Sequence, residues 1–368
     1  MSEDSQPQSR PPGGGGGGGR GRPPRKRGGA ARGGQSARAG QQSRGGQSRG
    51  GQSRGGQGRG GASNRRKFPK VQFTVACEER DLERLTSRYR VLEYASTAAG
   101  PLTERAARNL VERTPDGFVV DVRAHRLLTQ HSSPADALWP EVRDKLPQSA
   151  RGKPVLFPDE LPATVLDTAL DRFVASIAPL QEFSKLGAVI FQFPSYFTPS
   201  SKSLDYLAWL RDRCGELPIA IELRRREWLN TKHREETLAF LEAHKLIYVC
   251  VDAPQGVDTS VPPIAPATSP DLAIVRLHGR DLATWERNVD DPVARARYEY
   301  RRADLEPWVP RLEKLAGGGR TVHVIMTTAP VDGAGRSASL MAKVLTEPPD
   351  AKPPEPPPRT GPPKRRRF

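Results

Sequence analysis

The sequence predicts an α/β protein: a TIM-type (β/α)8 barrel with disordered amino- and carboxyl-terminal tails. Three observations lead there. Apolar runs AVIFQFP (Ala188–Pro194), IAIELR (Ile219–Arg224) and IVRLHGR (Ile274–Arg280) each end on polar or ionisable residues. Continuous apolar strands belong to parallel sheets covered on both faces, and such sheets present ligand groups at their carboxyl ends. Eight runs of this type, most of them followed by charged stretches of helical period, fill the middle of the chain. The 281 residues between the tails suit one barrel of about 250 residues with insertions.

In order, the strands are expected at Gln72–Ala76, Val91–Ala95, Phe118–Ala124, Ala188–Phe193, Ile219–Arg224, Ile247–Ala253, Leu272–Gly279 and Thr321–Thr328. Helices are expected at Glu78–Arg88, Thr103–Arg113, Val165–Leu180, Ser203–Cys214, Arg234–His244 and Arg301–Leu315. The connection Thr129–Pro162 carries six prolines, which points to an ordered excursion and not a plain loop. Pro254–Pro270 is proline-rich without helical period, so the sixth crossover should lack a helix. A doubly wound open sheet is the second choice. It is disfavoured because no glycine-rich phosphate loop follows the first strand.

The net charge of +16 is unevenly placed. Met1–Lys67 holds 15 Lys+Arg against 2 acidic residues, and Pro349–Phe368 holds 6 against 2. Between them, Phe68–Pro348 is close to neutral, with 37 basic and 38 acidic residues, so the basicity belongs to the tails. Three scattered cysteines without CxxC spacing give neither a disulfide framework nor a zinc site. No membrane span or signal peptide is expected, and a cytoplasmic location follows as the simplest reading.

The segment Arg10–Gly61 is low-complexity Gly, Arg, Gln and Ser, and no aromatic or large aliphatic side chain occurs between Ser2 and Lys67. RGGQS repeats place Arg44, Arg49, Arg54 and Arg59 five residues apart. Such a segment cannot offset its ordering entropy by apolar burial. Arginine pairs with phosphate and stacks on bases, so the tail is expected to hold RNA or single-stranded DNA without sequence preference. The bland alternative is a solubilising spacer. The proline-rich carboxyl tail ends in Lys364–Arg367 and should add to the same electrostatic role.

Side chains two apart on a strand share a face, so Arg276 aligns with His278 and Glu222 with Arg224. Glu93, Arg123, Gln192 and Asp252 stand at comparable strand ends, and His131 follows the third strand. Such a set could form a buried ion-pair network closing the barrel, or a pocket for a polar ligand. The expected geometry gathers Glu222, Arg224, Asp252, Arg276 and His278 in one pocket, with Glu93 and Arg123 opposite. His125, His233, His244 and His323 receive no role. Trp228 is expected to pack the wall beside the fifth strand.

FQFPSYF (Phe191–Phe197), IELRRREW (Ile221–Trp228), Asp252 in VCVDAP and IVRLHGR, in this order and spacing, resemble the YecE-like family, the domain of unknown function 72. Weaker matches are Glu93, Ser96 and Thr97 in LEYAST, TPDGF (Thr114–Phe118), and Arg123 with Thr129 and His131. The resemblance runs from about Val91 to Leu345 and implies a TIM-type barrel with a polar strand-end pocket. It implies no activity, because the family is uncharacterised as a class. This chain departs from the family pattern at Ala76-Cys77-Glu78, Ala95, Ala98-Ala99, Arg123, Arg225, Thr327 and Thr328.

The first functional reading is a barrel that binds or acts on a small anionic ligand, phosphorylated ligands included. Arg123, Arg224 and Arg276 would clamp it, with Gln192 and His131 beside them. Glu93 or Glu222 would be the general base, His278 the acid, and Asp252 a further catalytic carboxylate. No cofactor or metal is assigned. A lower alternative builds a divalent-metal hydrolase or isomerase from Glu93, Glu222, Asp252 and His278, disfavoured by the arginines in the same mouth. The competing class is a non-catalytic nucleic-acid-associated protein whose barrel is a degenerate scaffold.

Overall fold

The computed structural model describes residues 70–287, 297–328 and 331–347. The RGGQS arginines Arg44, Arg49, Arg54 and Arg59, and the carboxyl tail from Pro349, lie outside the described residues.

Eight parallel strands close into a barrel in the order β1-β10-β9-β8-β7-β6-β3-β2. They are β1 (Val71–Cys77), β2 (Val91–Tyr94), β3 (Val119–Arg123), β6 (Leu186–Gln192), β7 (Ile219–Glu222), β8 (Ile247–Asp252), β9 (Leu272–Leu277) and β10 (Thr321–Met326). Each overlaps one expected strand. The remaining pair, β4 (Ser133–Pro134) and β5 (Val155–Leu156), forms a small antiparallel ribbon inside the excursion after β3.

Register sets which side chains face the barrel axis. Arg276 of β9 is level with Ile325 of β10 and Val251 of β8, while Leu277 is level with Met326 and Asp252. The Arg276 parity points inward. The opposite parity, including Val75, Phe191, Ile221, Val275, Leu277, Val324 and Met326, faces the surrounding helices and is fully buried. Burying each such side chain contributes roughly 1.5–3 kcal/mol. This shell holds the inward-facing polar groups in place.

The helices mostly follow their expected positions. Glu104–Arg113 is capped by Thr103, whose hydroxyl accepts the Ala106 N–H at 3.1 Å. Ser201–Cys214 is capped likewise by Ser200 on Ser203. Ala163–Glu182 is longer than the periodicity indicated, and Arg234–Ala243 agrees with it. Between β8 and β9 there is no helix, as expected. Thr268 secures that crossover, its hydroxyl accepting from Tyr248 N and donating to Leu246 O, both at 2.7 Å.

Several elements differ from expectation, the short helix Leu282–Arg287 among them. Glu78–Arg88 gives only the short helix Leu82–Thr86 after a 3-10 turn. Arg301–Leu315 is broken into Arg302–Leu305 and Val309–Leu315 around a 3-10 turn at Glu306–Trp308, where Pro307 supplies no backbone N–H. A final helix, Val331–Thr346, was not foreseen, because Gly333, Gly335 and its serines disfavour helix locally. Gly333, Ala334, Ser337 and Ala338 are buried as that helix packs on β1 and β10, so tertiary contact overrides propensity.

Candidate functional site

At the carboxyl end of the strands the centre is Arg276, only 2% exposed. Its Nε and Nη2 each donate to Glu93 at 2.8 Å, and its Nη1 donates to Glu222. Arg276 was expected among the anion-clamping arginines, but its guanidinium is committed to two buried carboxylates. Burial by itself would lower the Arg276 pKa; Glu222 and Glu93 outweigh it and raise it. Glu222 is the converse: burial would raise its carboxyl, yet Arg276, then His278 and Arg224, hold it well below the ordinary carboxylate range.

The second oxygen of Glu222 accepts from the Gln192 amide and lies 2.9 Å from His278 Nε2. Gln192 in turn accepts from Arg123, whose Nε stands 3.9 Å from Glu93. The register makes this chain of contacts possible, since Gln192 and Glu222 are level on adjacent strands. Arg224, two residues past Glu222, lays its guanidinium over Trp285 at 4.1 Å from the ring centre. Burial is the main cause that lowers the His278 pKa, with Glu222 opposing that effect.

His131 joins this mouth from the excursion after β3. Its Nδ1 is 2.9 Å from the Thr129 hydroxyl, and the preceding turn is tied down by Tyr196 and Tyr206, which donate to Gln130 O and Leu128 O. Burial, then Arg123, Arg126 and Arg224, lower its pKa to about 4. Among the described residues, Arg123 Nε and Arg126 Nε are buried without a hydrogen-bond partner. Arg126 was not anticipated as part of this rim.

Residues 72–361 match the family described as a protein of unknown function, DUF72. The chain belongs to the DUF72 family. A curated relative, UPF0759 protein YunF of Bacillus subtilis (strain 168), is 26% identical over 270 residues, 73% of this chain and 87% of the relative. Solved DUF72 structures have the same fold. The DUF72 family protein EF0366 from Enterococcus faecalis V583 gives a TM-score of 0.60 at 23% identity, over 75% of this chain and 97% of that one. The DUF72 family protein TM1631 from Thermotoga maritima MSB8 gives 0.57 at 22% identity, over 75% and 99%.

Asp252 does not join the mouth of this DUF72 barrel. It is level with Leu277, on the parity facing the helices, where it pairs with Arg280 at 2.8 and 2.6 Å and accepts the Trp308 indole N–H. Strand ends alternate too, and counting Asp252 with Glu222 and Arg276 put it on the wrong face. Glu93 faces Arg276 from across the barrel, close enough for the two to be bonded directly. With Asp252 removed and both glutamates on Arg276, the four-residue metal set is not assembled. Among the described residues no three His, Cys, Asp or Glu side chains are arranged to hold a metal ion.

Two inward-facing groups were missed. Asp121, level with Glu93, pairs with His323 Nδ1 at 2.8 Å inside the barrel, although His323 had been given no role. Gly187 opens the space for that carboxylate: a Cβ there would stand 2.3 Å from Asp121 Oδ1. Thr327, two residues past Ile325, reaches His278 Nδ1 at 2.7 Å. The parity rule that picked out Arg276 and His278, applied to Asp121–Arg123 and to His323–Thr327, would have found both. Trp228 packs as expected, buried against Phe197 and donating to its carbonyl at 2.7 Å.

Proposed function

We propose that this DUF72 barrel binds a small anionic ligand, a phosphate or carboxylate compound, at the rim formed by Arg123, Arg126, Arg224 and His131. The observation that carries this reading is the cluster of arginines around a neutral His131, with Arg123 Nε and Arg126 Nε buried and without a hydrogen-bond partner among the described residues. Burial and the neighbouring Arg276 lower the Arg123 pKa, with Glu93 and Glu222 opposing them. A planar guanidinium meets a phosphate or carboxylate with two parallel bonds. Arg276, Glu93 and Glu222 then act beneath the ligand as the frame that orients Gln192 and His278.

Titration of the full-length chain with inorganic phosphate and with sulfate tests this. Binding should weaken about tenfold or more in Arg123→Ala, on the scale of one lost charge-assisted contact of roughly 1.5–3 kcal/mol. Equal binding by the two proteins, or no binding by the parent, removes the reading.

The arginine-repeat tail, with Arg44, Arg49, Arg54 and Arg59, tethers the chain to RNA or single-stranded DNA in the same proposal. Its support is compositional: 15 basic against 2 acidic residues in the first 67. Cys77, Cys214 and Cys250 are free and buried, which supports a reducing, cytoplasmic setting. No described helix is long and apolar enough to cross a membrane.

A further inference from the structure

Thr327, His278 and Glu222 stand in line at the mouth of the barrel. Glu222 Oε1 lies 2.9 Å from His278 Nε2, and His278 Nδ1 lies 2.7 Å from Thr327 Oγ1. The ion pair with Arg276 keeps Glu222 ionised, and an ionised carboxylate only accepts hydrogen bonds. His278 therefore carries its proton on Nε2, which leaves the lone pair of Nδ1 facing the Thr327 hydroxyl. That hydroxyl has a competing acceptor in Leu277 O at 3.0 Å, but the same carbonyl already takes the Thr327 N–H at 3.0 Å. The shorter contact is the one to the imidazole. Thr327 is only partly buried, whereas Glu222 is fully so, which gives the arrangement a part-buried hydroxyl at one end and a shielded carboxylate at the other.

We propose that Thr327, His278 and Glu222 form a hydroxyl–imidazole–carboxylate relay that makes Thr327 Oγ1 a nucleophile toward carboxylic esters. Oγ1 adds to the ester carbonyl carbon while its proton passes to His278 Nδ1 and the carbonyl π pair moves onto oxygen. Collapse of the tetrahedral intermediate breaks the bond to the leaving alkoxide, which takes the proton from Nδ1 and departs as an alcohol. Water, deprotonated by the same nitrogen, then releases the acid and restores the threonine. The β-branch of threonine limits χ1 and so helps hold Oγ1 on Nδ1. Glu222 fixes the tautomer and supports the positive charge that develops on the ring. An anionic group on the preferred ester rests on the arginine rim proposed above; the relay itself does not.

The test treats the full-length chain with an uncharged fluorophosphonate and, separately, with p-nitrophenyl acetate. We expect one phosphonate adduct per chain, mapped by mass spectrometry to Thr327, and release of p-nitrophenol with an initial burst. Thr327→Ala should give no adduct. His278→Ala should react at least about a hundredfold more slowly, the low end for a lost general base. Thr327→Ser, which keeps the hydroxyl, should still label at Ser, and circular dichroism establishes that each variant is folded. The parent labelling rate should decline as the pH falls and His278 protonates. No adduct on Thr327 in the parent, or equal labelling of Thr327→Ala, overturns the relay. Because the probe is uncharged, labelling and phosphate binding are read independently on the parent chain, so loss of one without the other reports on the two proposals separately.

Discussion

Arg276 and Glu93 share two parallel hydrogen bonds of 2.8 Å across the barrel interior, joining strands that are not neighbours in the sheet. The pair is almost wholly buried, and Glu222 completes it on the other side. One cation between two carboxylates leaves a net negative charge unless Arg123, beside Glu93 and Gln192, is counted. The interior of the mouth is thus balanced through residues from β2, β3, β6, β7 and β9 together.

Removing the centre of that balance should be costly. Arg276→Met leaves two buried carboxylates facing each other, and the expected loss is about 3–5 kcal/mol, the range for breaking a buried pair from one side. Urea unfolding measures it. A variant within 1 kcal/mol of the parent, on the order of an ordinary exposed substitution, would show that the network contributes nothing to the fold.

Asp252 should behave as a structural residue. Asp252→Ala strips the buried partner from Arg280 and from the Trp308 indole, at an expected cost of about 1–3 kcal/mol. Phosphate affinity at the mouth should stay as in the parent. A selective loss of binding without loss of stability would return Asp252 to the site.

Acid should weaken the fold through two histidines. Burial lowers the pKa of both His125 and His131 to about 4, below the ordinary 6.5. Between those values the unfolded chain takes up protons that the folded chain refuses, so unfolding free energy declines as pH drops from 6.5 toward 4. Denaturant titrations across that window should show the decline, and His125→Asn should make it shallower. A flat profile contradicts the burial of these rings as neutral imidazoles.

Gly187→Ala tests the packing around Asp121. The added methyl would stand 2.3 Å from Asp121 Oδ1 and 2.5 Å from Val119 Cγ1, both in the barrel wall. Overpacking of this kind costs about 1–3 kcal/mol. Thermal unfolding at an unchanged temperature would mean that the wall yields without penalty.

Deleting Met1–Lys67 should abolish most affinity for RNA and single-stranded DNA, and the parent's affinity should fall steeply with added salt. Fluorescence anisotropy with a labelled oligonucleotide at several salt concentrations reads both. Undiminished affinity in the truncated chain would move nucleic-acid binding onto the barrel.

The eight barrel strands were legible because their cores are continuous apolar runs, a pattern imposed by burial on both faces, and because charged helices separate most of them. The missing sixth helix was legible as well, since proline removes both the period and the donors a helix needs. The break at Pro307 and the helix Val331–Thr346 were not. Their outcome depends on what packs beside them: Trp308 turning toward Asp252, and small residues closing on β1 and β10.

For the site, sequence parity alone paired Arg276 with His278 and Glu222 with Arg224, because alternation is a property of any extended strand. It left undecided which parity of each strand faces the axis. Closure of the barrel sets that, by fixing the register of every strand against its neighbours. Asp252 therefore fell to the helix side, while Asp121, His323 and Thr327 fell to the interior. Distance along the chain carries no information about such encounters: Glu93 and Arg276 meet across 183 positions, and only the closed sheet brings them together.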